Sequence, residues 1–218
     1  MFNKTNYIWL LVLLILFLNG CNYNNPPQLN TNNIVSITNI VDKQTNENLD
    51  NKLEKLIDLA YFYKGKETDL LKGNMINLGG TNGYIVIHTP SLTVTLDALE
   101  NIQKYKDYNL DSAKNKYNEV KDNLTIYGFL YSNESDFMKN PTTVIKIDNK
   151  IIHSINSSGE QFADTSNYFP NPAYIGGCIS HFNISDLGDT KKFQFIIINN
   201  GVETNFIVDL SKLIFNEF

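Results

Sequence analysis

Three histidines are the residues best suited to hold a metal ion or to move a proton. His88, His153 and His181 each fall inside or at the end of a predicted strand, and imidazoles from three strands can converge on zinc. No two of them have the HxH or HxxxH spacing that places two ligands side by side. Cys178 lies three residues from His181, which puts the two side chains on opposite faces of an extended strand. We therefore predict structural histidines, no metal site and no cofactor.

Motifs for covalent or phosphate chemistry are absent from the sequence. It contains neither a Gly-x-Ser-x-Gly elbow nor HExxH. The cluster Gly79-Gly80-Thr81-Asn82-Gly83 lacks the Gly-Lys-Ser/Thr ending of a phosphate-binding loop, and no base stands beside Ser157-Ser158-Gly159-Glu160. We predict that the protein is not an enzyme, with polymer hydrolysis by a pair of its carboxylates as an alternative.

An aromatic, proline-rich segment is the leading candidate for a binding surface. Asn167-Tyr168-Phe169-Pro170-Asn171-Pro172-Ala173-Tyr174 places three aromatic residues and two prolines in a predicted loop before a strand. Rigid aromatic side chains on a pre-ordered loop contribute contact area with little loss of entropy. We predict that Tyr168, Phe169 and Tyr174 bind a protein or glycan partner; the alternative is that these rings cap the end of the fold.

Charge and composition narrow the class of partner. The chain has 218 residues, 42% of them hydrophobic, a formal net charge of -5 and two cysteines, which fits one globular domain with an appendage. All 18 basic residues are lysine. Without guanidinium groups the chain cannot form the bidentate contacts that dominate recognition of bases and phosphates, and its net charge repels polyanions. Nucleic acid is therefore excluded as a predicted partner.

The first 20 residues have the pattern of an export signal. Lys4 precedes an apolar run from Ile8 to Leu18, which at about 1.5 Å per residue is too short to cross roughly 30 Å of hydrocarbon. The last residue of this run and the three residues after it, Leu18-Asn19-Gly20-Cys21, resemble the lipobox of bacterial lipoproteins, with Asn19 where alanine or serine is more usual. An uncleaved membrane anchor and an ordinary secretory signal are the alternatives. All three place the chain outside the cytoplasm.

The lipobox resemblance implies that Cys21 is the lipidated N-terminus of the mature protein. Its partner is then a lipid bilayer, in the cell membrane or outer membrane, because several acyl chains anchor a protein stably. Removal of residues 1–20 deletes Lys4 alone among the charged residues, so the mature charge is 17 minus 23, or -6. Cys178 is left without an intramolecular partner, and we predict that it is a small buried hydrophobe.

Four regions follow along the chain. Residues 1–20 are the signal peptide and residues 21–33 an Asn- and Pro-rich tether with too little apolar surface to fold. Residues 34–82 form an N-terminal helical segment, in which 48–63 has the apolar spacing of an amphipathic helix. Residues 83–218 form a β-sandwich domain, and the boundary is set at the glycine cluster that ends at Gly83.

After Gly83 the apolar period changes from that of a helix to that of strands. Residues 92–98 alternate apolar and polar side chains, as a half-buried strand does. The other predicted strands are 84–88, 124–131, 144–147, 151–155, 178–184, 192–198 and 204–210, with turns at Asp148-Asn149 and Asn200-Gly201 and one helical insertion at 111–121. This pattern predicts a mainly β fold, an antiparallel immunoglobulin-like β-sandwich with an N-terminal amphipathic helix and a short helical insertion.

A short C-terminal stretch supports that architecture. Residues 182–188, followed by Lys192-Phe193-Gln194-Phe195, resemble the strand, turn and strand near the end of extracellular immunoglobulin-like modules. The resemblance implies a fold and no activity. We therefore predict a membrane-anchored bacterial lipoprotein that is a non-catalytic binding module for a protein or glycan. The alternatives are a structural envelope component and a hydrolase acting on envelope polymers.

Overall fold

The computed structural model describes residues 48–215. The predicted signal peptide, the tether, Cys21 and the first part of the N-terminal segment lie outside those residues. The helices are α1 (Leu49–Phe62), α2 (Glu67–Lys72), α3 (Pro90–Gln103) and α4 (Leu110–Val120). The strands are β1 (Met75–Asn77), β2 (Tyr84–His88), β3 (Asn123–Ser132), β4 (Thr142–Ile147), β5 (Lys150–His153), β6 (Asn156–Gly159), β7 (Asp164–Thr165), β8 (Tyr174–Asn183), β9 (Lys192–Asn199) and β10 (Val202–Asp209).

The two predicted helices are present close to their expected bounds. Helix α1 begins after Asn48, whose side-chain oxygen accepts a hydrogen bond from the Asp50 amide, and it buries Leu53, Leu56 and Ala60 on one face. Helix α4 begins after Asn109, whose side chain accepts from the Ser112 amide at 3.0 Å. Caps of this kind satisfy backbone donors that have no partner inside the helix.

The strand predicted at 92–98 is wrong, because this segment lies inside helix α3. The Thr89 hydroxyl caps the helix by accepting from the Leu92 amide, and Pro90 has its φ angle already fixed for the first turn. The helix is buried around much of its circumference, including Thr95 and Ala98. A helix buried on most sides lacks a clear polar face, so its sequence can alternate by chance. This helix raises the helical content of the described residues to 31%, against 36% strand.

The strands form two antiparallel sheets that face each other. Sheet A has the order β1-β2-β3-β8-β6, with β7 also paired to β8, and sheet B has the order β10-β9-β4-β5. One hydrophobic core contains buried residues of both sheets, including Ile126 and Phe182 from sheet A and Phe195 and Phe206 from sheet B. The chain passes from sheet B to sheet A between β5 and β6, where the Ile155 amide donates to the His181 carbonyl at 2.8 Å. The predicted antiparallel, mainly β character is confirmed.

The helices cover part of the opposite face of sheet A. Leu71 of α2 and Leu96 of α3 pack against sheet residues such as Val86 and Tyr127. Strand β3 lies between β2 and β8 and is buried on both faces, as its apolar sequence indicates. The layers are therefore sheet B, sheet A and a partial helical layer.

A late segment of the chain completes the helical core. Phe215 is 1% exposed and packs with the helices, and its amide donates to the Asn74 side chain at 3.3 Å. The Thr89 hydroxyl donates to the Phe215 carbonyl at 3.0 Å. These two hydrogen bonds join the segment that follows β10 to the residue before β1 and to the N-cap of α3.

Three turns show how local sequence sets the strand pairing. Asn200 and Gly201 have φ angles of 49° and 77° and connect β9 to β10, and Asp148, with φ 50°, connects β4 to β5. Both predicted hairpins are confirmed. The predicted domain boundary at Gly83 falls inside a third hairpin, in which β1 pairs with β2.

In the part of the chain from 48 to 215, none of the helices has the length and apolar character needed to cross a bilayer.

Candidate functional site

The three aromatic residues that were predicted to bind a partner lie in two different environments. Tyr168 and Phe169 are 46% and 64% exposed on the loop before β8. Tyr174, the first residue of β8, is partly buried and packs against the core between the sheets. Phe162, which sequence analysis did not single out, is 70% exposed on the preceding loop. The exposed rings therefore lie on the loops within residues 160–173, whereas Tyr174 belongs to the core between the sheets.

Hydrogen bonds order the loop that carries Tyr168. The Tyr168 amide donates to the Ser166 hydroxyl at 2.9 Å, and the Ser166 amide donates to the Ala173 carbonyl at 2.8 Å. The Ala173 amide in turn donates to the Asn133 side chain at 2.9 Å, which ties the loop to the end of β3. A loop held in this way loses little conformational entropy when it binds.

Tyr168 lies against a row of aromatic side chains on the outer face of sheet A. Its ring meets that of Tyr131 nearly edge-on, with 5.5 Å between centroids. Two residues earlier on the same strand, Phe129 stacks on Tyr84 at 4.8 Å and 19°. We call the four rings and the neighbouring Glu160 the aromatic shelf; its members are Tyr84, Phe129, Tyr131, Glu160 and Tyr168.

Glu160 fills a gap in the pairing of sheet A. Strand β8 pairs with β6 up to Gly159 and again with β7 from Asp164. Between these two strands, Glu160 forms hydrogen bonds with Gly177 of β8. Its amide donates to the Gly177 carbonyl at 3.1 Å, and its carboxylate accepts from the Gly177 amide at 2.8 Å. The side chain thus replaces a hydrogen bond that a continuous strand would supply, and its charge lies near enough to Tyr84 to contribute to the raised pKa of that phenol.

The surroundings of Glu160 make it titrate near neutrality. Burial raises the pKa of its carboxyl group to about 7, and the charge of Asp164 acts in the same direction, whereas the Gly177 hydrogen bond lowers it. Burial also raises the pKa of Tyr84 far above its usual value, with smaller contributions from Tyr131 and Glu160. For Tyr131, burial and Tyr168 raise the pKa to about 12. Burial therefore keeps the phenol groups of Tyr84 and Tyr131 neutral, and the shelf contains one carboxyl group, that of Glu160, which changes charge near pH 7.

We expect Glu160→Gln to stabilise the protein at pH 8 and to leave its stability unchanged at pH 4. The folded-state pKa is raised from 4.5 to about 7, so the stability gained from protonation is complete below pH 4.5 and is lost as the pH rises through 7. Glutamine stays neutral and its amide oxygen can still accept from Gly177. Melting temperatures of both proteins across this range provide the test, with Glu203→Gln, an exposed residue of β10, as control. An equal shift at both pH values would contradict the expected ionisation of Glu160.

The three histidines do not come together. His88 and His181 lie on the same face of sheet A, each opposite Thr125 in register, whereas His153 lies on β5 of sheet B. The Nδ1 atom of His181 is 3.0 Å from the Thr125 hydroxyl. Within residues 48–215, no group of three or more histidine, cysteine, aspartate or glutamate side chains is placed to hold a metal ion.

His88 and Cys178 are buried single groups. The His88 ring lies 4.4 Å from that of Tyr127, and its Nε2 atom has no hydrogen-bond partner among the described residues. Burial lowers the pKa of His88 to about 3 and raises the pKa of the Cys178 thiol to about 12. Cys178 is fully buried between the sheets, which confirms its predicted role as a small core residue.

No protein-family model matches this chain, and no curated protein is significantly similar to it. Of the four rings of the shelf, Tyr84 and Phe129 are buried, whereas Tyr131 is partly exposed and Tyr168 is 46% exposed. The rings of Tyr131 and Tyr168, beside an ordered loop, can stack on the apolar face of a sugar or on a peptide side chain, and their phenol hydroxyls can donate hydrogen bonds to either.

Proposed function

We propose that the protein is an extracytoplasmic bacterial lipoprotein, anchored through Cys21 in the cell membrane or outer membrane, whose β-domain binds a protein or glycan without catalysing a reaction. The lipobox-like residues support the anchor, and the aromatic shelf supports the binding role. An immunoglobulin-like arrangement of the strands is part of this proposal and is supported by the two facing antiparallel sheets.

The observation that carries the binding role is the exposure of aromatic rings on an ordered loop. Tyr168 and Phe169 on this loop are 46% and 64% exposed, and Phe162 on the loop before it is 70% exposed. The Tyr168 ring contacts that of Tyr131, so the exposed loop adjoins one end of the row of rings, of which Tyr84 and Phe129 are buried. Contiguous exposed aromatic surface is typical of interaction sites, where a few aromatic residues supply most of the binding energy.

We expect the double variant Tyr168→Ala/Phe169→Ala to lose partner capture. Truncating an aromatic residue at the centre of an interface typically costs about 2 kcal/mol or more, so two such changes should weaken binding at least about 100-fold. The measurement is capture from envelope extract, and from a panel of purified glycans, by the mature chain carrying Cys21→Ser. Both residues are substantially exposed, so the melting temperature should change little.

A matched control replaces exposed apolar residues elsewhere. Ile151 and Ile207 are 56% and 65% exposed on sheet B, and Ile151→Ala/Ile207→Ala should capture the partner as the parent does. Equal capture by the Tyr168/Phe169 variant and the parent would show that the loop only caps the fold.

Glu160 favours one second candidate, hydrolysis of an envelope glycan. A carboxyl group with a pKa of about 7 is protonated often enough at neutral pH to act as a general acid, and Asp164 lies near enough to affect it. Release of reducing ends from the same glycan panel distinguishes the two functions. Turnover by the parent that is lost in Glu160→Gln would establish the hydrolase, whereas glycan binding by the parent with no release of reducing ends supports the binding module.

A further inference from the structure

Lysine and aromatic side chains concentrate at one end of the helical layer. The turn after α1 and the turn after α3 lie side by side there. We call this surface the lysine–aromatic tip; its members are Tyr61, Phe62, Lys64, Lys66, Lys104, Tyr105 and Lys106.

The aromatic rings of the tip are unusually exposed. Tyr61 and Phe62 are 57% and 53% exposed and Tyr105 is 92% exposed, whereas the neighbouring Tyr63 is buried. Tyr105 also has a φ angle of 56°, a left-handed conformation that is uncommon for an aromatic residue. The fold therefore presents three rings to the outside that its own core does not use.

Lysine ammonium groups lie next to these rings. The Nζ atom of Lys64 is 5.2 Å from the centre of the Tyr105 ring, and that of Lys66 is 4.9 Å from the centre of the Phe62 ring. The first of these contacts joins the two turns directly. Positive charge and aromatic surface are therefore combined in one patch and not in separate ones.

Glu67, a partly buried acidic residue, lies between the two turns and is hydrogen-bonded within the protein. The Glu67 carboxylate accepts hydrogen bonds from the Gly65 amide, at 2.8 Å, and from the Gln103 side chain. Residues 61–67 and 100–107 together contain four lysines and three acids, Glu67, Glu100 and Asp107, and Lys104 is ion-paired with Glu100. In a chain with a net charge of -5, these two turns thus carry a small local excess of positive charge, mainly on Lys64, Lys66 and Lys106.

We propose that the lysine–aromatic tip docks on the anionic surface of the lipid bilayer. Each lysine close to an anionic membrane contributes about 1 kcal/mol, and aromatic rings with one polar edge are favoured at the boundary between headgroups and acyl chains. The positive charge of the tip therefore favours anionic over neutral lipid. Its aromatic rings favour binding at a bilayer surface over binding to an anion in solution. This role is distinct from ligand binding at the aromatic shelf, but it rests on the proposed anchor.

The length of chain before α1 permits this contact. Cys21 and Asn48 are 27 residues apart, which allows a span of up to about 90 Å at 3.3–3.6 Å per residue. Helix α1 has 14 residues, so the tip lies about 21 Å from the point where the described chain begins. A protein lipidated at Cys21 can therefore place its tip on the same bilayer, and the anchor would raise the local concentration of the tip at the surface.

The test is cosedimentation of the mature chain carrying Cys21→Ser with vesicles of phosphatidylcholine, with and without phosphatidylglycerol. We expect binding only when phosphatidylglycerol is present. The variant Lys64→Gln/Lys66→Gln/Lys106→Gln should bind on the order of 100-fold more weakly, because three lysines each contribute about fivefold. The variant Phe62→Gln/Tyr105→Asn, which keeps every charge, should also bind more weakly.

A charge-matched control is provided by exposed lysines distant from the tip in sequence. Lys121→Gln/Lys139→Gln/Lys146→Gln makes the same change in net charge and should retain binding. Equal loss in both triple variants, or binding that does not depend on phosphatidylglycerol, would overturn the proposal. The proposal would also be overturned if dextran sulfate, a soluble polyanion, released the protein from vesicles and the variant Phe62→Gln/Tyr105→Asn bound vesicles as tightly as the parent. That result would indicate a general polyanion site.

The vesicle experiment can fail without contradicting the proposed function. Tyr168→Ala/Phe169→Ala leaves the tip unchanged and should bind vesicles as the parent does. Lipidation of Cys21 is measured by labelling in cells and does not depend on the tip. Failure of vesicle binding with normal labelling would therefore overturn the tip proposal alone.

Discussion

Cys21→Ser is expected to transfer the protein from the membrane fraction to the soluble fraction. The lipobox-like residues 18–21 predict that Cys21 carries the acyl chains, and each CH₂ group buried in the bilayer contributes about 0.8 kcal/mol. The loss of two or three chains removes far more binding energy than the tip supplies. Fractionation after a high-salt wash, which screens the tip, together with incorporation of labelled palmitate, measures the effect.

Cys178→Ala provides the control for this change. Cys178 is the other cysteine of the chain, it is fully buried, and burial raises the pKa of its thiol to about 12, so it should not accept a lipid. The Cys178 variant should keep the label and the membrane location. Retention of label in Cys21→Ser would instead show that residues 18–21 are not the lipidation site.

Acid is expected to destabilise the protein through His88. The pKa of this buried imidazole is lowered from 6.5 to about 3, so the unfolded chain binds a proton at pH values where the folded protein does not. The stability is complete above pH 6.5 and is lost at up to about 1.4 kcal/mol per pH unit as the pH falls towards 3. His181, with a pKa lowered by partial burial, acts in the same direction.

The contribution of His88 is isolated by comparison with His88→Asn, which cannot become charged. Free energies of unfolding from urea titrations at pH 7 and pH 4.5 should differ less in this variant than in the parent. Glu160 opposes His88 between pH 4.5 and 7, because its raised pKa favours folding at low pH. The difference between the two proteins is therefore the measured quantity, with exposed His153→Asn as the control. The same pH dependence in His88→Asn and the parent would exclude His88 as the cause.

The success of the strand predictions follows from local signals. Asn200-Gly201 favours a tight turn through its own backbone preferences, and β3 is apolar on both faces, which indicates a central strand. These properties belong to a few adjacent residues. Segment 92–98 shows the limit, because its apolar and polar alternation is outweighed by the cap at Thr89 and by burial within the helical core.

The candidate site could be predicted only in part, because some of its contacts join residues that are distant in the sequence. Tyr168 and Phe169 are conspicuous in a proline-rich loop, so composition alone indicated them. The role of Glu160 depends on a gap between β6 and β7 and on Gly177, 17 residues away, which no local pattern encodes. The tip likewise needs the turn after α1 to meet the turn after α3.

The position of Phe215 has a consequence for the order in which the protein folds during synthesis. Helices α1 to α4 leave the ribosome before the strands that follow them, yet their core contains Phe215, which follows the last strand and is tied to Asn74 and Thr89. The chain emerges from the ribosome N-terminus first, and its helices cannot complete their packing until residue 215 has also emerged. The helices should therefore remain incompletely packed while the rest of the chain is being synthesised. The helices and the sandwich should then close together in one late step.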